Sequence, residues 1–86
     1  MFVMVREQII ERLTPLVREA FHDDTIVVID SMSAENVASW TSLSFMQLLS
    51  KIEEQFAFKF RIFELLNIHN MGDLVSAIEN HFSNDE

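Results

Sequence analysis

The sequence predicts an all-α fold, a small four-helix bundle with three main helices, a short third helix and a long first loop. Apolar residues recur at helical spacing in three separate stretches, which is the primary signal of amphipathic helices. One glycine and one proline are the only strong breakers in 86 residues. The composition, 49% hydrophobic against 23% charged, is that of an ordered globular chain. A chain of this size buries only about 60–65% of its unfolded surface, so one domain spanning residues 1–86 with a small, well-patterned core is expected.

The first helix is read from Val5, Ile9, Leu13, Leu16, Val17, Ala20 and Phe21, with Glu7, Glu11, Arg12, Arg18 and Glu19 among the polar positions. Pro15 interrupts this stripe. An interior proline removes a backbone hydrogen bond, so a kink is expected, or a break with the true helix starting near Thr14.

Residues 22–41, "HDDTIVVIDSMSAENVASWT", hold no complete helical stripe and are rich in Asp, Ser and Asn, which reads as a long structured connection. "TIVVI" has strand composition and "FAFKF" at 56–60 alternates with period two, so a two-stranded ribbon is the alternative. An isolated strand pair is marginally stable, which disfavours it.

The clearest helix follows. Phe45, Leu48, Leu49, Ile52 and Phe56 make one stripe, with Ser44, Gln47, Lys51 and Glu54 placed on the opposite face. Thr41 is the natural N-cap, which puts Ser42 in the first turn at the positive end of the helix dipole. "RIFELLNI" then allows one or two turns, with Ile62, Phe63, Leu65 and Leu66 apolar. Asn70 is read as the N-cap of the last helix, in which Met71, Leu74, Val75 and Ile78 face inward and Asp73 occupies the first turn. The tail "SNDE" is expected to fray.

Composition narrows the function. Fourteen acidic and six basic residues give a formal net charge of −8, which repels nucleic-acid backbones and anionic lipid surfaces and favours basic protein partners. With no cysteine, disulfides, thiolate metal sites and cysteine nucleophiles are excluded. No apolar run approaches a membrane span, and "MFVMV" lacks a basic n-region, so a cytoplasmic location is expected.

The catalytic and metal constellations are weak. His22, His69 and His81 stand at no mutual ligand spacing, so no metal is expected. Asp23 and Asp24 are adjacent, point different ways and read as a solvated loop rather than an acid–base pair. Ser42 has no G-x-S-x-G elbow around it. What Ser42 does have is a helix N-terminus, whose N–H groups and dipole would favour a phosphodiester carried on its hydroxyl.

From about residue 40 to 82 the sequence resembles the acyl carrier proteins. "TSL" at 41–43 is similar to the Asp-Ser-Leu that opens the family's second helix, "LLSKIEEQF" at 48–56 to the Leu-rich turn that leads into Glu-Glu and Phe, and "NMGDLVSAI" at 70–78 to the Val-Gly-Asp-Leu start of the last helix. Trp40 before the motif resembles stand-alone carriers of polyketide and related pathways. "DSM" at 30–32 also resembles the signature, but counting from Ser31 throws the later landmarks out of register, whereas counting from Ser42 keeps them.

The resemblance implies a carrier without catalytic activity of its own, with 4′-phosphopantetheine covalently attached at Ser42 and acyl groups held as thioesters on its thiol. It implies a phosphopantetheinyl transferase and acyl-loading and acyl-transfer enzymes as partners, contacted through Thr41, Leu43, Met46, Glu53 and Glu54, and a monomer. The alternatives are an unmodified helical interaction module and an aminoacyl or peptidyl carrier. Two departures stand out. Thr41 replaces the usual aspartate, and Ser44, Gln47 and Lys51 stand on the second helix where the family usually shows acidic residues to basic partners. Leu43 and Met46 then gain weight as apolar contacts.

Overall fold

The structure, a computed structural model, describes residues 5–83. In chain order it holds α1 (Arg6–Phe21), α2 (Ser42–Phe56), α3 (Ile62–Leu66) and α4 (Met71–Ser83), with no strand among the described residues. The expected all-α bundle with a short third helix and a long first loop is what forms. Of the tail "SNDE", only Ser83 lies within the described residues.

Helix α1 packs on α2 and on α4. Its buried stripe is Ile9, Leu13, Leu16, Val17, Ala20 and Phe21, while Val5 is left exposed at the N-cap. The break considered at Pro15 does not occur, and one helix runs from Arg6 to Phe21. Ile9 and Leu13 before the proline and Leu16 and Val17 after it are in phase on one buried face, so packing holds the helix together across the missing N–H. Pro15 itself is exposed, and the Thr14 hydroxyl donates to the Ile10 carbonyl at 2.7 Å. The helix ends on His22 in the left-handed conformation, with the Asp23 N–H reaching back to the Arg18 carbonyl.

The loop over 22–41 is fastened at several points. Ile26 and Val28 are buried while Val27 and Ile29 are exposed, and Met32 and Trp40 enter the core further along. The Met71 N–H donates to the Met32 carbonyl at 2.8 Å and the Gly72 N–H to the Asp30 carbonyl at 3.0 Å, so the loop lies against the first turn of α4. The Arg6 guanidinium bridges Asp30 on the loop and Glu79 on α4, each at 3.2 Å.

Leu48, Ile52 and Phe56 of α2 and Met71, Leu74, Val75 and Ile78 of α4 complete the core, with Phe45 and Leu49 partly buried against it. Asn70 caps α4 as expected, its Oδ1 accepting from the Asp73 N–H at 2.8 Å. Helix α3 buries none of its five residues. It is tied to α4 by Glu64, whose carboxylate lies 3.0 Å from His81 Nε2, and the His81 ring stacks on Phe58 at 4.1 Å.

Candidate functional site

The N-terminus of α2 is built from hydroxyl groups. Thr41 Oγ1 accepts from the Ser44 N–H at 3.1 Å, and Ser44 Oγ accepts from the Thr41 N–H at 2.8 Å, a reciprocal capping box. Ser44 Oγ also donates to the Ser39 carbonyl at 2.7 Å, which ties the end of the loop into the cap. Just before it, the Trp40 ring is buried, stacked on Phe45 at 5.5 Å and tilted against Phe21 at 5.6 Å. Loop, cap and helix start therefore form one packed unit.

Ser42 is the first residue of α2 and is exposed, and its hydroxyl has no hydrogen bond among the described residues. The N–H groups of Ser42 and Leu43 precede any carbonyl that their own helix could offer, so they stand beside this hydroxyl as donors. No acidic residue occupies the first turn. The end of α2 thus presents a free hydroxyl in a field that favours an anion.

The placement of Ser44 corrects the sequence reading. It was expected on the outer polar face with Gln47 and Lys51, yet it is buried and fully engaged. An N3 residue turns back over the cap, and its hydroxyl satisfies groups that would otherwise be orphaned. The Thr-x-x-Ser spacing was the available signal, a weak form of the capping-box pattern. Gln47 is exposed, and Lys51 is drawn to Glu19 of α1 at 3.4 Å.

Helical periodicity puts Ser42, Met46, Leu49 and Glu53 on one strip of α2. Met46 and its neighbour Leu43 are 65% and 67% exposed, large apolar side chains beside the free hydroxyl and outside the core. Thr41 and Glu54 are exposed as well. Glu53 is turned along the chain, accepting from the Phe60 N–H at 2.9 Å with Lys59 at 3.9 Å, so it also fixes the turn after α2.

The remaining candidates lie apart. Ser31 is exposed in a turn of the loop, between two residues whose carbonyls receive the α4 N–H groups. The Asp23 carboxylate accepts from the Thr25 hydroxyl at 2.6 Å and from its N–H at 3.0 Å, bonds that hold it below the ordinary carboxylate range. Asp23 thus locks a turn. Among the described residues no three His, Asp or Glu side chains gather closely enough to hold a metal ion.

A scan against models of protein families returns no match, and neither does a search of curated proteins. Among solved structures, the chain is similar to the holo acyl carrier protein from Geobacter metallireducens, determined by solution NMR. The two share 37% identity over 83% of this chain and 82% of that one, with a TM-score of 0.77. The chain belongs to the acyl carrier protein family.

Thr41-Ser42-Leu43 at the start of α2 resembles the family's Asp-Ser-Leu, and Thr41 makes a capping bond without carrying a charge. The fold is that of an acyl carrier protein, and the surface beside Ser42 is apolar, with Leu43 and Met46 exposed and no acidic residue in the first turn of α2.

Proposed function

We propose that this protein is a cytoplasmic, monomeric carrier that holds acyl groups as thioesters on a 4′-phosphopantetheine arm attached to Ser42 and presents them to separate biosynthetic enzymes. The observation that carries the proposal is the exposed, unbonded Ser42 hydroxyl at the start of α2, in a chain of the acyl carrier protein family. The nearby Ser44 hydroxyl, by contrast, is engaged with the Ser39 carbonyl.

The residues present fit the arm. The N–H groups of the first turn, those of Ser42 and Leu43 among them, would favour a phosphodiester on Ser42 Oγ, and no first-turn carboxylate opposes its charge. In the modification step, Ser42 Oγ forms a bond to the phosphorus of a pantetheine-bearing nucleotide diphosphate. The bond from that phosphorus to the departing nucleotide breaks, and the hydroxyl proton passes to the transferase. When bound, the arm supplies the thiol on which acyl groups are carried, so the protein needs no catalytic groups of its own. Leu43 and Met46 offer apolar contacts to the transferase and to acyl-loading and acyl-transfer enzymes, and Thr41, Glu53 and Glu54 border them.

Intact mass after co-expression with a broad-specificity phosphopantetheinyl transferase tests this. A gain of one phosphopantetheine is expected, abolished by Ser42→Ala and retained in Ser31→Ala. Loss of the label in Ser31→Ala alone would move the site to the loop. No gain with any transferase would identify an unmodified interaction module.

A further inference from the structure

We infer that Ser44 is the positioning residue for the transfer reaction at Ser42, an inference that rests on Ser42 being the modified residue. Ser44 is the one buried polar residue among the described residues, 8% exposed, and its hydroxyl has one proton to give and two lone pairs to fill. All three are used. The proton goes to the Ser39 carbonyl at 2.7 Å, and the lone pairs accept from the Thr41 N–H at 2.8 Å and the Thr41 hydroxyl at 3.2 Å.

These bonds tie Ser39 and Thr41, three and one positions before Ser42, to the residue two positions after it. Ser42 is thereby clasped on both sides while its own hydroxyl stays unengaged. The Ser39 carbonyl is the link of most consequence, because it extends the clasp beyond the local cap into the loop anchored by Trp40. With the clasp closed, the Ser42 Cα–Cβ direction is fixed relative to the exposed Leu43 and Met46 that a transferase would grip. The nucleophile and the handle are then presented as one rigid piece. Orientation of this kind acts on the reactive step, and a displacement near 1 Å can cost on the order of 100-fold in rate.

A residue that only supported the fold would change stability and leave the turnover of folded protein unchanged, so the test separates kcat from KM. Transfer of phosphopantetheine to the unmodified carrier is followed by intact mass at saturating nucleotide donor and varied carrier, at a temperature where circular dichroism shows each variant folded. Ser44→Ala should lower kcat roughly tenfold with KM for the carrier nearly unchanged, since the docking side chains stay in place. Ser44→Thr, which restores the hydroxyl, should recover most of the loss. Ser44→Cys keeps the size and weakens the bonds; it should fall between, and it carries the test if Ser44→Ala does not fold. Amide hydrogen exchange at Thr41 should quicken in Ser44→Ala, a readout independent of the transferase. Wild-type kcat in folded Ser44→Ala or Ser44→Cys would overturn the inference, as would a change confined to KM or a folded Ser44→Thr that does not recover. A wild-type chain that takes no label, or label that survives Ser42→Ala, would instead overturn the Ser42 assignment beneath it.

Discussion

Replacing Gly72 by alanine tests whether the long loop is truly seated on α4. In an open helix the change would be favourable, since glycine costs up to about 1 kcal/mol relative to alanine, less near a terminus. Here a Cβ on residue 72 would stand 3.0 Å from Asp30 Cβ and 3.2 Å from its carboxyl carbon. Asp30 has little freedom to retreat, because its carbonyl accepts from the Gly72 N–H at 3.0 Å and its carboxylate is held by Arg6. Overpacking of this type costs about 1–3 kcal/mol, so after the helix gain a net loss of about 1–2 kcal/mol remains. For a domain this small that is a drop of roughly 5–15 °C in melting temperature, readable by circular dichroism. Asp30→Gly removes the opposing Cβ. The double variant should therefore be less destabilised than the two single variants added together, by about 1 kcal/mol. A melting temperature for Gly72→Ala at or above that of the wild type would show that the loop does not press on α4, and the account of the loop would be wrong.

Phe56→Ala should cost about 3–5 kcal/mol in denaturant unfolding, because its buried ring meets Phe58 and Phe82 and lies under the Arg12 guanidinium at 4.5 Å. A loss under 1 kcal/mol would mean that the ring is not part of the core. Thr41→Asp should leave stability within a few tenths of a kcal/mol, since both residues cap. It should also speed transfer to Ser42 at low ionic strength, with the gain shrinking as salt rises; equal rates at low salt would show that the position requires only a cap. Burial pushes the Glu64 carboxyl up, but the Arg61 N–H and His81 outweigh it and leave it below its ordinary value of 4.5. With the folded value below the unfolded one, its contribution is complete above pH 4.5 and is lost as the pH falls through the lowered value. Acid unfolding monitored in Glu64→Gln should lack that component, and identical acid profiles for the two proteins would refute it.

Much of the framework was legible in the residues, and the gaps have physical causes. The stripes of α1, α2 and α4 were readable because each helix buries one face, and Asn70 and Thr41 were readable as caps because their side chains have few other uses at those positions. Pro15 was overweighted, since propensity is local and the in-phase burial of Ile9, Leu13, Leu16 and Val17 is not. "TIVVI" looked like a strand for a sound reason: Ile26 and Val28 are buried and Val27 and Ile29 exposed, a strand-like alternation in a segment that pairs with no strand among the described residues. In "FAFKF", Phe56 closes α2, and the chain then turns at Ala57 in the left-handed conformation, which sends Phe58 and Phe60 toward His81. At the candidate site, register is what singled out Ser42, whereas Ser44 was misplaced because a helical wheel does not show that an N3 hydroxyl folds back onto its own cap.

The bonds from Met71 and Gly72 to the loop also bear on the order of events during synthesis. The loop that delivers Ser42 is held by backbone groups some 40 residues downstream in the chain, at the start of the last helix. Until α4 has been made, the Met32 and Asp30 carbonyls lack the Met71 and Gly72 N–H groups, so the loop before Ser42 lacks this support. A growing chain can wind α1 and α2 on the ribosome, as local segments do, yet the loop between them waits for the start of the last helix.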